Sequence, residues 1–153
     1  MLAKVSTTDD EGGEEQDETD HQPPAQQPRP LRIFISYARV DTALADRLEG
    51  DIKRAGLLPW VDRRRLEGGQ EWLDGIQRAV EDCDVLVVVL TPQAADSEFV
   101  RMEWRHARRM GKRVVPLLFK LPPRMPIDLA ALQWVDFQDD YIAGLKDLLS
   151  ALA

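Results

Sequence analysis

The chain is poor in the residues that build rigid metal and disulfide chemistry. Among 153 residues there is one cysteine, Cys83, so no internal disulfide can close and no thiolate metal site can assemble. The two histidines, His21 and His106, stand far apart, which argues against a histidine zinc site and against a Ser-His-Asp triad. Long apolar runs are also missing: the longest, Val85 to Leu90, has six residues, where about 20 are needed to cross a bilayer. The opening residues are polar and acidic, without the basic start and apolar stretch of a secretory signal. These absences lead to the expectation of a cytoplasmic protein in a reducing compartment, with no metal and no membrane partner.

Aromatic residues are absent from residues 1–30, and so is balanced charge. Eight acids (Asp9, Asp10, Glu11, Glu14, Glu15, Asp17, Glu18, Asp20) face Lys4 and Arg29 there, a net charge of −6 out of −7 for the chain. A Gln/Pro run, Gln22 to Pro28, closes the segment. Such a composition buries too little apolar surface to offset its ordering entropy, so residues 1–30 are expected to form a disordered acidic leader. Its charge keeps the protein soluble or shields a basic surface. The remaining 123 residues carry a net charge of −1, so the low isoelectric point says little about the partners of the folded part.

From Leu31 onward apolar patterning begins. Arg32 to Ser36 reads as a short buried strand. Asp41 is expected to cap a helix with Leu44, Leu48, Ile52 and Ala55 on one face, closed by Gly56. Leu57 to Val61 reads as a second strand, at an edge because of Pro59. After a polar loop comes a helix with Trp72, Ile76, Ala79 and Val80 inward. Val85 to Leu90 is apolar throughout, as in a strand covered on both faces. Thr91-Pro92 ends it. A helix from about Ser97 to Met110, a strand Val114 to Leu118, a short strand around Gln133-Trp134-Val135 and a helix opened by Asp139 complete the pattern. Strands alternating with helices mean parallel crossovers. Five of them suit an α/β, flavodoxin-like, doubly wound parallel sheet in the order 2-1-3-4-5 over residues 31–153, with ligands beyond the carboxyl ends of the strands.

One residue contradicts its surroundings. Winding 97–110 with Phe99 at zero puts Met110, Ala107, Val100 and Trp104 in an apolar arc from about 20° to 140°, and Glu103 at about 40° inside it. A carboxylate is costly to bury, so it pairs with an arginine from elsewhere, marks the end of the arc, or serves a function. In a semi-apolar cleft it suits a developing cation. Arg101, Arg105, Arg108 and Arg109 form the opposite face, with Lys112 and Arg113 following. Without aromatic residues among them, and in a nearly neutral domain, they read as a solvated face rather than a nucleic-acid site. An intermolecular contact, or the acidic leader folding back, also fits them. The loop Asp62-Arg63-Arg64-Arg65-Leu66-Glu67-Gly68-Gly69-Gln70 is a basic flap beside the crevice. It lacks both dinucleotide and P-loop glycine patterns.

These residues resemble the TIR (Toll/interleukin-1 receptor) domains, particularly bacterial ones. Phe34-Ile35-Ser36-Tyr37 is similar to the opening box of that family. Trp60-Val61-Asp62 followed by Leu66-Glu67-Gly68-Gly69 resembles its second strand and BB loop. Ser97-x-Phe99-Val100-x-x-Glu103 resembles the Ser-x-aromatic-x-x-x-Glu pattern that opens its third helix. The resemblance spans about Leu31 to Ala153. It implies either a scaffold that assembles signalling complexes or an enzyme that cleaves the nicotinamide–ribose bond of NAD⁺, in bacterial defence or virulence.

In the cleaving members the glutamate at the Glu103 position is essential. The resemblance therefore implies that Glu103 stabilises an oxocarbenium-like ribose while nicotinamide leaves as a neutral base, without a general acid and with NAD⁺ as substrate rather than cofactor. It implies that Phe99, in place of the tryptophan of many members, stacks on the base. Tyr37 and Arg39 line the crevice, with Arg39 near the phosphates; Ser97 hydrogen-bonds at the helix start, and Asp62 holds the loop. Arg63 to Gly69 is implied as a partner-facing loop, activity requiring self-association and a trigger or partner protein. Hydrolysis and cyclisation both stay open. A nucleoside glycosidase is chemically close to this reading. A phosphate-accepting receiver is disfavoured, because the first and third strands end in Ser36-Tyr37 and Thr91-Pro92 instead of acids.

Overall fold

The apolar runs of the sequence become the strands of one sheet. A computed structural model describes residues 29–62 and 69–153. The expected disorder of the acidic leader and the loop residues Arg63 to Gly68 lie outside the described residues. Five strands, β1 (Arg32–Ser36), β2 (Leu58–Val61), β3 (Val85–Leu90), β4 (Arg113–Leu118) and β5 (Val135–Asp136), pair in parallel in the order β2-β1-β3-β4-β5. Between them run α1 (Thr42–Arg54), α2 (Gln70–Asp82), α3 (Pro92–Asp96), α4 (Glu98–Arg109) and α5 (Ile127–Ala130), and α6 (Tyr141–Leu152) follows β5. The flavodoxin-like topology is the one expected from the alternation of patterns.

Each face of the sheet carries its own core, divided by the two-residue period of the strands. Phe34, Leu86, Val88 and Leu90 point to one side, where Ile76 and Val80 of α2 and Val100, Trp104 and Ala107 of α4 cover them. Ile33, Ile35, Val85, Val87 and Val89 point to the other, under Ala45, Leu48 and Ile52 of α1 and Leu148 and Leu152 of α6. Central β3 is covered on both sides, which is why all six of its residues are apolar and buried. Edge strand β2 tolerates Pro59, and its Trp60 stacks on Phe34 at 4.8 Å across the β1–β2 register.

Several expected details shift. Asp41 occupies the N-cap position of α1 but does not cap it; its carboxylate instead accepts a 2.6 Å hydrogen bond from Thr91 Oγ1. The helix ends at Arg54, leaving Ala55 exposed rather than on the buried face. Thr91 ends β3 and also caps α3, accepting from Ala94 N at 3.1 Å with Pro92 at the first helical position, a start signal that the sequence reading passed over. The last strand is Val135–Asp136, not 133–135: Val135 and Phe137 point inward while Trp134 is 42% exposed, so the alternation is set one residue later. Asp140 rather than Asp139 caps α6, accepting from Ile142 N and Ala143 N at 2.9 and 3.3 Å.

Gly144, within α6, leaves room for no side chain. A Cβ there would lie 2.6 Å from Phe137 Cδ1 and 2.9 Å from the Asp136 carbonyl oxygen. Alanine normally gains about 1 kcal/mol over glycine in a helix. Overpacking costs about 1–3 kcal/mol, and here backbone as well as ring must shift. Gly144→Ala is therefore expected to lower the melting temperature by several degrees; a rise would contradict this packing.

Candidate active site

The carboxyl ends of β1 and β2 and the first turns of α2 and α4 meet on one side of the sheet. At the end of β1, Ser36 is fully buried and its Oγ meets no hydrogen-bond partner among the described residues. Tyr37 follows, buried, and its hydroxyl donates to the Asp62 backbone carbonyl at 2.9 Å. Asp62, just past β2 and 4% exposed, accepts a 2.8 Å hydrogen bond on Oδ2 from Trp72 Nε1. Trp72, in the first turn of α2, meets the edge of Phe99 with ring centroids 5.1 Å apart. Phe99 lies in the first turn of α4, and Glu103 is one turn further along.

This path links four of the residues named from sequence: Tyr37, Asp62, Phe99 and, through α4, Glu103. Ser97 is at the start of the same helix as its N-cap, accepting from Val100 N at 3.3 Å. Arg39 stands apart. It is exposed on a 3₁₀ turn, Arg39–Asp41, and its contact is a carbonyl that accepts from Thr42 Oγ1 at 2.6 Å. Gly69, the last of the loop candidates, takes φ +93° and is exposed at the N-cap of α2; such a φ favours glycine. Arg63, Arg64, Arg65, Leu66, Glu67 and Gly68 are outside the described residues.

The helical wheel of α4 proves rotated from its expected centre. Phe99 and Met110, counted in the apolar arc, are each 48% exposed, whereas Glu103 is 1% exposed beside Val100, Trp104 and Ala107. The acid is thus more deeply placed than the phenylalanine one turn before it. Glu103 also lines a cavity of about 330 Å³ between α2 and α4, with Leu73 and Ile76 on one wall and Asp74, His106 and Arg109 around it. That volume is at the lower end of small-molecule sites, about 300–1,000 Å³. Beside it, His106 Nε2 and Glu81 Oε1 are 3.3 Å apart. The Glu81 carboxyl is lowered from its ordinary value, chiefly by the Gln77 side-chain hydrogen bond, with desolvation opposing it next and His106 and Lys112 adding to the lowering. Among the described residues no cluster of three or more His, Cys, Asp or Glu side chains could hold a metal ion. No helix among them is long and apolar enough to cross a membrane.

The spacing of Trp72 with Ile76 favours a core position over a crevice one, and the structure combines the two: Trp72 is half-buried, packing on the core with its rings while its indole N–H reaches Asp62. The signal available was chemical: a tryptophan in a first turn has a polar edge that needs a buried acceptor. Trp72→Phe leaves Asp62 short of that donor. The expected cost is about 1–3 kcal/mol, read from the urea midpoint; an unchanged midpoint would contradict the hydrogen bond.

The sequence profile of TIR domains matches residues 33–149. The chain belongs to the TIR domain family. Among known proteins, this TIR domain is 27% identical over 93 residues to the Brachypodium distachyon protein named probable 2′ cyclic ADP-D-ribose synthase BdTIR. The match takes in 60% of the present chain but 42% of that relative's length. The fold is shared with the TIR domain of the Toll-related receptor TRR-2 from Hydra magnipapillata (TM-score 0.66, 20% identity, covering 78% of this chain and 96% of that one). It is shared as well with the TIR domains of the Roq1 resistosome (TM-score 0.65, 15% identity, 80% and 99%). A Clostridium botulinum CMP N-glycosidase, BcmB, has a similar fold (TM-score 0.51, 18% identity, 79% and 97%).

Proposed function

We propose that this TIR domain cleaves the nicotinamide–ribose bond of NAD⁺, releasing nicotinamide and either ADP-ribose or a cyclic ADP-ribose, in the cytoplasm and in a bacterial defence or virulence setting. The observation that carries this reading is Glu103: an acid 1% exposed on an otherwise apolar helix face, lining a cavity, one turn from an aromatic ring. An acid in that place is useful to an enzyme whose transition state is cationic. The name of the Brachypodium relative supports the same substrate class.

The ribose cation forms as the C–N bond breaks, and the electron pair leaves with nicotinamide, whose ring nitrogen starts cationic. Glu103 faces the positive charge and binds the ribose hydroxyls. Phe99, held edge-on by Trp72, offers its exposed side to the nicotinamide ring. Tyr37 and Asp62 brace the floor, Ser97 fixes the start of α4, and Arg39, free to swing from its turn, reaches toward the phosphates. The loop from Arg63 to Gly69 contributes across a contact between copies, so that assembly, or an activating partner, raises activity.

The deciding experiment offers the wild-type protein, clustered by a crowding agent, NAD⁺ beside nucleosides and CMP, and follows free base by chromatography. Nicotinamide release with no base from nucleosides or CMP supports this reading. Base released from nucleosides or CMP instead would replace NAD⁺ as the substrate. No release from any of them under clustering would leave a TIR module that only docks proteins.

A further inference from the structure

The solvent side of α4 has no part in the chemistry proposed above, although Arg109 at its edge also borders the Glu103 cavity. Arg101, Arg105, Arg108 and Arg109 lie on it, and Lys112 carries the charge on toward β4. Two shallow cavities meet at Arg108, one bordered by Arg105 and Arg109, the other by Lys112 and Arg113. Among the described residues, none of these five cations has a carboxylate within 4.0 Å. Where they bond, they use carbonyls, Arg101 to Ala95 and Arg108 to Asp128, whereas Arg113 turns to Ala151 of α6 on the opposite face of the sheet. Asp128 borders one of the two cavities and Glu81 lies within electrostatic range of Lys112, so the stripe keeps an excess of positive charge with no direct ion pair among the described residues.

The chain carries the missing charge itself. Eight acids stand between Asp9 and Asp20, and the point at which that segment joins the fold is fixed. Arg29 pairs with Asp84 Oδ1 at 3.2 Å, and Arg32 N donates to Asp84 Oδ2 at 2.8 Å. Asp84 immediately precedes Val85, whose register partner on the next strand is Arg113. Adjacent strands are about 4.8 Å apart, so the segment enters beside the end of the basic stripe. From Asp20 to Arg29 an extended chain covers about 30 Å. The 12 residues of α4 cover about 18 Å. Every arginine of the stripe is within reach, and a short tether supplies the acids at an effective concentration of about millimolar.

We infer that the acidic segment from Asp9 to Asp20 docks on the basic face formed by Arg101, Arg105, Arg108, Arg109 and Lys112 of the same molecule. Opposite charge, matched length and the entry point favour this occupant over a nucleic acid. Trp104, the aromatic residue nearest these arginines, is 2% exposed and presents no surface for a base to stack on. Docking covers the outside of the helix whose inside bears Glu103, and so competes with any acidic partner for that face.

Lysine distribution supplies the test on the full chain. Lys112 lies in the stripe; Lys53 is at the end of α1, and Lys120 and Lys146 are elsewhere. Zero-length carbodiimide cross-linking, mapped by mass spectrometry, is expected to join acids of 9–20 to Lys112 at least tenfold more often than to Lys53 or Lys146. In an equal mixture of ¹⁴N- and ¹⁵N-labelled protein the linked peptides carry one label only. The Lys112 links fall to the Lys53 level in 1 M NaCl, where the screening length shrinks to about 3 Å. They fall likewise in the R105Q/R108Q variant, which changes two exposed side chains. Absence of Lys112 links, equal links to Lys53, mixed-label links, or insensitivity to both salt and variant would overturn the docking.

Discussion

Glu103→Gln is expected to lower NAD⁺ cleavage by about a thousandfold, equivalent to about 4 kcal/mol of transition-state stabilisation. The amide keeps the shape of the acid and loses the charge that faces the ribose cation. Glu103 is 1% exposed, and the amide fills the same volume in the same place. Glu103→Gln is therefore expected to keep a cooperative melting transition while losing activity. Calorimetry beside the nicotinamide assay separates the outcomes. Loss of activity together with a collapsed melting transition would make Glu103 structural.

Cys83 is expected to resist alkylation. It closes α2 at 3% exposure, and its Sγ–H donates to the Val80 carbonyl at 3.0 Å. Burial is the main cause that pushes the thiol up from 9.0 to about 11. Two pH units mean about one-hundredth of the thiolate at pH 8, and the thiolate is the nucleophile. Iodoacetamide should label the native protein at least a hundredfold more slowly than the urea-unfolded chain, followed by intact mass. The linkage has a definite sign. Because the folded value is raised, the contribution of Cys83 to stability is full below about pH 9 and is lost as pH rises through about 11. Equal labelling rates in the native and unfolded chains would contradict the packing of α2 against β3.

Much of this was legible from residue order, and the failures have physical causes. Val85 to Leu90 announced a strand buried on both faces because nothing polar interrupts it, and it sits at the centre of the sheet. Periodicity placed Glu103 inside an apolar arc. It did not reveal that the arc is centred on Val100, Ala107 and Trp104, because hydropathy treats Phe99 and Met110 as core although each is 48% exposed. For Trp72 spacing registers the rings, which do pack on the core, but carries no sign of the N–H bond to Asp62, a residue ten places earlier. The cap of α6 went to Asp139 when two adjacent aspartates competed, and only backbone geometry selects Asp140. The bond between Asp41 and Thr91 joins residues 50 apart and has no local signature.

The most direct measurement is nicotinamide released from NAD⁺ by the wild-type chain and by Glu103→Ala, side by side under conditions that promote self-association, with the ribosyl product identified by mass spectrometry. The expected result is nicotinamide with ADP-ribose or its cyclic form from the wild type, and a rate at least about a thousandfold lower from the variant. Equal rates from both proteins would show that the buried carboxylate does not carry the reaction.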